Sequence, residues 1–219
     1  ETMQIVTICG SGFLGLHVAQ TLAKAEHTNR ILTRDASGLG AFRLLAGVST
    51  HNADVFDSSV LVAQLRGADA VVSMAGILNE SGSDGKGFER IHVDLVERII
   101  DACRATGVNR VLHVSALGAG QGESHYQKTK GQAEELLGAS GLDVTVFRPS
   151  VIFGRGDSFF NRFAGLLKLA PVLPLACPDS KLQPVWARDV ANAMQMALDG
   201  SENGERITVP GLGDIWDLG

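Results

Sequence analysis

Cysteine is scarce in this chain: Cys9, Cys103 and Cys177 are odd in number, far apart and without a Cys-x-x-Cys pair. That pattern argues against a disulfide framework and against a zinc cluster, and it implies buried thiols in a reducing compartment. Long apolar runs are missing as well. No stretch spans a bilayer, and no basic segment followed by an apolar run opens the chain. Neither a transmembrane helix nor a secretory leader is expected, and the expected location is cytoplasmic, with peripheral attachment at the inner membrane left open. An excess of charge is also absent. With 19 Lys+Arg against 24 Asp+Glu, a net charge of -5 and a pI near 5.7, the chain offers no general field for nucleic acid or an anionic membrane. Phosphate recognition has to be local. The six histidines, His17, His27, His51, His92, His113 and His125, lack metal-ligand spacing, so no metal site is expected. Of these, His92 faces inward on its helix.

What is present suits a single α/β unit with a small attached lobe: 219 residues, 45% hydrophobic and 20% charged. Apolar β-rich runs alternate with helical patterns. Gln4 to Cys9 reads as a buried strand, and Leu14, Val18, Leu22 and Ala25 as the stripe of the following helix. Arg30 to Thr33 and Ala70 to Met74 read as strands, with a helix over about Ser58 to Leu65 before the latter. Phe88, Ile91, Leu95, Ile99 and Cys103 recur at helical spacing, closed by Gly107. Val111 to Ser115, a helix carrying Tyr126 and Lys130, and Leu142 to Phe147 complete a βαβαβ series. Such alternation predicts a parallel sheet covered by helices on both faces. After Arg148-Pro149 the pattern changes to an apolar helix over Phe159 to Leu167, a Pro171 to Pro174 run and a last helix from about Asp189 to Leu198. The expected organisation is a nucleotide-binding domain over residues 1–148 and a small, truncated substrate lobe over 149–219 completing the same unit. Ser81 to Gly87 is a Gly/Ser-rich loop, a candidate mobile segment beside the cleft.

The first strand runs straight into Gly10-x-Gly12-x-x-Gly15 and a helix, which is the context a dinucleotide loop needs. Gly10 permits the tight turn, Gly12 lets backbone approach a pyrophosphate, and Gly15 allows close helix packing. Ser11, Phe13 and Leu14 complete the loop and the helix N-terminus, whose free N–H groups face the phosphates. At the end of the second strand Thr33 is followed by Arg34 and only then by Asp35. A guanidinium suits a 2′-phosphate, so NADP(H) is favoured over NAD(H). Asp54 and Val55 are placed to cover the adenine, and Ala75 and Gly76 to let the nicotinamide ribose approach. Tyr126 and Lys130, four apart on one helix face, pair a phenol with an ammonium that favours its ionised form. Ser115 would hold a substrate oxygen against the same phenol.

The ordered string GSGFLG, MAGIL, HVSALGA, Tyr-x-x-x-Lys, FRPSVIFG, FFNRFAGL and QPVWARDVANAM resembles the atypical extended short-chain dehydrogenase/reductases, which are NAD-dependent epimerase/dehydratase-like. Within them it is similar to the branch of the nucleotide-binding accessory subunit of respiratory complex I. The resemblance covers about Met3 to Leu198 and implies a Rossmann-type doubly wound sheet. It also implies that Tyr126 is the acid/base, that Lys130 holds the nicotinamide ribose, that Ser115 orients substrate, and that Pro149 and Ser150 pass near the nicotinamide. Three departures stand out: Cys9 where the family loop GxxGxxG has its first glycine, or else a loop shorter by one residue; His92 near the place of the tetrad asparagine; and little chain beyond Val209. The expected function is an NADP(H)-dependent oxidoreductase acting on an unnamed small molecule. A non-catalytic nucleotide-binding accessory or assembly protein of a respiratory complex is the alternative, and a nucleotide-sugar epimerase or dehydratase the third. Self-association into a homo-oligomer stays open.

Overall fold

The pentapeptide of β1 (Gln4–Ile8) is buried over its last four residues, as a central strand of a sheet covered on both faces requires. In the computed structural model, residues 2–80, 84–157 and 183–200 are described, with the backbone of two further strands. The chain passes from β1 into α1 (Phe13–Lys24) and returns through β2 (Thr28–Thr33), α2 (Gly40–Arg43), β3 (Val48–Asn52), α3 (Ser58–Leu65) and β4 (Ala70–Ser73). Next come α4 (Lys86–Glu89), a π-helical turn (Arg90–Asp94) and α5 (Leu95–Thr106), and then β5 (Arg110–Val114), α6 (His125–Gly138) and β6 (Asp143–Pro149). A short parallel pair of β7 (Ile152–Phe153) and β8 (Val185–Trp186) leads to α7 (Ala187–Leu198), β9 (Ile207–Val209) and β10 (Gly213–Leu218).

The large sheet runs β3-β2-β1-β4-β5-β6-β10-β9, and its pairings are parallel except for β10 with β9. Strand order reverses between β1 and β4, and it is at the carboxyl ends beside such a switch point that doubly wound sheets bind ligands. One apolar layer joins Leu61 of α3, Ile99 of α5 and Leu137 of α6 to Val71 and Val111. The other joins Leu22 of α1 and Met194 of α7 to Val72, Leu112 and Phe147. Each such leucine contributes about 1.5–3 kcal/mol by leaving water. The last helix thus shares the core built on α1 and the central strands.

Local signals place the ends. The Asp57 carboxylate caps α3 by accepting from the Ser59 and Val60 N–H groups at 2.8 and 3.2 Å, and the Ser124 hydroxyl caps α6 from Gln127 N–H at 3.2 Å. Gly107, with φ of 78°, closes α5 in the left-handed conformation expected of it. One feature departs from the sequence reading: the regular helix expected through Phe88 and Cys103 is interrupted by the π turn, which turns His92 fully inward. The predicted helix over Phe159 to Leu167, the Pro171 to Pro174 run, Cys177 and residues 81–83 of the Gly/Ser loop lie outside the described residues. Among the described residues no helix is long and apolar enough to cross a membrane.

Candidate functional site

The glycine loop explains itself residue by residue. A Cβ on Gly10 would stand 2.2 Å from Thr7 Cγ2, and one on Gly15 would stand 1.8 Å from the Gly10 carbonyl oxygen, so both are required by packing. Gly12 is different. Its φ of -90° suits any residue, and a Cβ there would meet nothing within 4 Å. The fold itself does not demand a glycine at this position, and the backbone there is open to close approach. Gly12 also begins α1 without a side-chain cap, so the first-turn N–H groups have no capping side chain to satisfy them. Cys9 has a φ of 60°, in the left-handed region that favours glycine. This sets the register: Cys9, Gly12 and Gly15 take the three positions of the GxxGxxG loop.

Around the loop, Thr33 Oγ1 donates to Ser11 Oγ at 3.3 Å, tying the end of β2 to the glycine turn. Arg34 is exposed beyond it, and burial raises the Cys9 thiol while Arg34 and Lys130 act in the opposite sense. The Asp35 carboxylate accepts from Ser37 N–H at 2.8 Å, and that backbone bond holds it below the usual range. Asp35 is therefore engaged in its own turn. Asp54 likewise accepts from Phe56 N–H at 2.9 Å, with Val55 buried beside it.

Ser115 follows β5; its N–H donates to the Phe147 carbonyl at 2.7 Å, and its hydroxyl is buried without a protein partner. Tyr126 stands in the first turn of α6, edge-on to Phe88 at 5.8 Å and to His92 at 5.4 Å between ring centres. Burial pushes its phenol up. Lys130, one turn on, is buried and donates to the carbonyls of Ala75 at 2.8 Å and Val114 at 2.9 Å. Burial lowers this ammonium to about 8, against the opposing pull of Glu134 and Cys9. The ammonium is thus held by the carbonyls of Ala75 and Val114, and the phenol ring packs against Phe88 and His92. A Cβ on Gly76 would lie 3.3 Å from Lys130 Nζ, so Gly76 keeps the approach to the ammonium clear. Pro149 is buried at the end of β6, where its carbonyl accepts from Leu117 N–H at 3.0 Å, and Ser150 follows.

The carboxyl edge therefore gathers the Gly10 to Gly15 loop, Ala75, Gly76, Ser115, Pro149 and Ser150, with Tyr126 and Lys130 facing them from α6. Arg34, Asp54 and Val55 follow β2 and β3, toward the sheet's outer edge. Two groups escaped the sequence reading. Glu134 is buried and takes Arg148 Nε at 3.0 Å and Nη2 at 2.5 Å, a bidentate pair behind Lys130. Arg148 within the otherwise apolar run Val144 to Pro149 was the available signal. Thr129, whose hydroxyl lies 2.9 Å from His92 Nδ1, gave none.

A glycine turn feeding an uncapped helix at the switch point of a parallel sheet defines a Rossmann-type dinucleotide-binding protein. The model of the NAD(P)H-binding family matches residues 10–157, and the chain belongs to that family. It is 30% identical over 192 residues to the ceramide reductase of Caulobacter vibrioides, covering 85% of this chain and 58% of that protein. To the mitochondrial NADH dehydrogenase (ubiquinone) 1 alpha subcomplex subunit 9 of Dictyostelium discoideum it is 27% identical over 201 residues, covering 89% and 55%. The chain spans a little over half the length of these curated relatives. In fold it is similar to the UDP-glucuronic acid 4-epimerase of Bacillus cereus, with a TM-score of 0.81 at 16% identity over 99% of this chain and 77% of that one. The resemblance read from the motifs, to epimerase/dehydratase-like reductases and the complex I accessory branch, holds.

Proposed function

We propose that this chain is an NADP(H)-dependent oxidoreductase that interconverts a carbonyl and an alcohol, with residues 1–148 binding the nucleotide and 149–219 bordering the substrate. The observation that carries the reading is the open space at Gly12 on the same edge as Ser115, Tyr126 and Lys130. When bound, the nicotinamide supplies or accepts the hydride at the substrate carbon. Ser115, its hydroxyl free of protein partners, holds the substrate oxygen. Tyr126 gives its proton to that oxygen as the carbonyl is reduced, and takes one back in the reverse direction. A phenol raised by burial is an acid that keeps its proton until negative charge develops beside it. Lys130 has one N–H left after its two carbonyls, and directs it toward the ribose beside Gly76. Arg34, with Asp35 turned to Ser37, supports the 2′-phosphate of NADP(H). Leu78 and Leu117, 76% and 47% exposed after β4 and β5, suit a substrate with an apolar body, in keeping with the name of the ceramide reductase relative.

The test is turnover of a panel of carbonyl compounds with NADPH. Tyr126→Phe should lower kcat by about 10²–10⁴-fold with nucleotide affinity kept; unchanged turnover of every accepted substrate would end the mechanism. Arg34→Ala should weaken NADPH by about tenfold and leave NADH unchanged, by calorimetry. A second reading is favoured by the likeness to the mitochondrial NADH dehydrogenase subunit of Dictyostelium discoideum: a nucleotide-binding accessory protein of a respiratory complex. Tight NADPH binding, no reductase activity and co-purification with a membrane complex would establish it.

A further inference from the structure

His92 has no exposed surface, and its ring sits between two elements that frame the site. Its Nε2 lies 3.2 Å from the backbone N of Ile77, in the segment after β4, and its Nδ1 lies 2.9 Å from Thr129 Oγ1 on α6. The proton positions follow from the partners. A backbone N–H can only donate, so Nε2 is bare. The Thr129 hydroxyl has one hydrogen, and it lies 2.8 Å from the His125 carbonyl and 3.1 Å from that of Tyr126, which can only accept. Toward His92 the hydroxyl therefore accepts, and Nδ1 carries the hydrogen. Both neighbours demand the same neutral tautomer. An imidazolium would set an Nε2 hydrogen against the Ile77 N–H. The charged or titratable neighbours act the same way: Lys130 from α6 opposes a positive ring, and His113 from β5 is itself buried and held neutral.

The connection is double. Ile77 N–H is held by His92, which is held by Thr129; the next residue on α6, Lys130, returns to the same segment through the Ala75 carbonyl at 2.8 Å. The π turn places both Phe88 and His92 against the Tyr126 ring while Leu95 and Ile99 still face the core. Removing His92 would leave the Lys130 side of the circuit to hold the loop alone.

We infer that His92 is a positioning residue, fixed as the neutral Nδ1–H tautomer, which clasps the Ala75–Ile77 segment to α6 and thereby sets the Tyr126 ring and the Lys130 ammonium. The catalytic part of this inference rests on the oxidoreductase reading; the clasp itself does not.

The experiment uses the NADPH-bound protein. Nitrogen NMR of the His92 ring should show Nδ1–H with bare Nε2, unchanged from about pH 8 to about pH 5. His92→Phe keeps the aromatic packing and loses both bonds; exchange of the Ile77 amide should speed up about tenfold or more. Its kcat should fall about tenfold, with the KM for NADPH within about threefold. His92→Asn offers an amide N–H₂ to Thr129 and His92→Gln a carbonyl to Ile77, so each should recover part of the loss. An Nε2–H tautomer, a protonated ring in that pH range, or an Ile77 amide indifferent to His92→Phe would overturn the clasp. If the amide responds while turnover of an active protein does not, the positioning role falls and the clasp stands. If the wild type turns over no substrate, the oxidoreductase reading fails instead, and the tautomer and the amide still decide the clasp.

Discussion

At the scale of single residues, the loop after β1 separates two reasons for having no side chain from one position that keeps it at a conformational cost. Gly15 is glycine because the Gly10 carbonyl occupies the place of a Cβ, Gly12 has open space where a Cβ would stand and on our proposal leaves it to the pyrophosphate, and Cys9 keeps a side chain where φ of 60° favours none. Two comparisons test this. Cys9→Gly should be more stable than Cys9→Ala by about 1–2 kcal/mol in urea unfolding, since both lose the thiol and only alanine retains the left-handed cost. Gly12→Ala should unfold like the wild type yet bind NADPH about tenfold more weakly by calorimetry, whereas Gly15→Ala should lose the fold. An equal affinity in Gly12→Ala would remove the main support for pyrophosphate lying there. The spacing of Gly10, Gly12 and Gly15 was visible in the sequence because a missing side chain is written in the letter. The backbone angle of Cys9 is written in none.

At the scale of elements, α6 is the carrier of the site. Tyr126, Lys130 and Glu134 recur every four residues along one face, with Thr129 beside them, so one helix places the phenol, the ammonium and the carboxylate that faces Arg148. Glu134 is 3% exposed at its side chain, and Glu134→Gln would leave Arg148 without its bidentate carboxylate, with, among the described residues, only the charge of Asp217 acting on it. Thermal and urea unfolding should show a loss of about 3 kcal/mol; a loss below about 1 kcal/mol would mean that Arg148 finds water instead. The sequence disclosed this helix through the Tyr126 to Lys130 spacing, and most strands through their apolar runs. It implied a strand before Asp54 but not the bounds of β3, whose residues Val48 to Asn52 are largely polar, as an edge strand permits. Nor did it disclose the π turn, because one extra residue in a helical turn leaves the apolar spacing from Leu95 onward intact.

At the scale of the molecule, the sheet's change of direction between β1 and β4 joins residues distant in sequence, and a ligand bound across that edge stabilises the whole fold. NADPH at about 100 times its Kd should add about 2.7 kcal/mol, and raise Tm by about 5–10 °C in a domain of this size. NADH at the same concentration should raise it less. Acid should act in the opposite sense. Burial depresses His92 to about 3, and His113 also lies well below its usual value. Below about pH 6.5 the unfolded chain binds protons that the folded one refuses, so stability present at neutral pH is lost as pH falls from about 6.5 toward about 3. His92→Asn should flatten part of that slope in a pH series of urea midpoints; an unchanged slope would mean that the ring protonates in the folded protein.

The two carbonyls held by Lys130 lie where the β4 and β5 ladders run out, so the ammonium works as a rivet between neighbouring strand ends before any nucleotide arrives. A descendant that had lost its chemistry would still need that rivet, and would keep the lysine of Tyr-x-x-x-Lys for architectural reasons. Presence of the lysine alone is therefore weak testimony to a reaction, because the fold gives it work of its own.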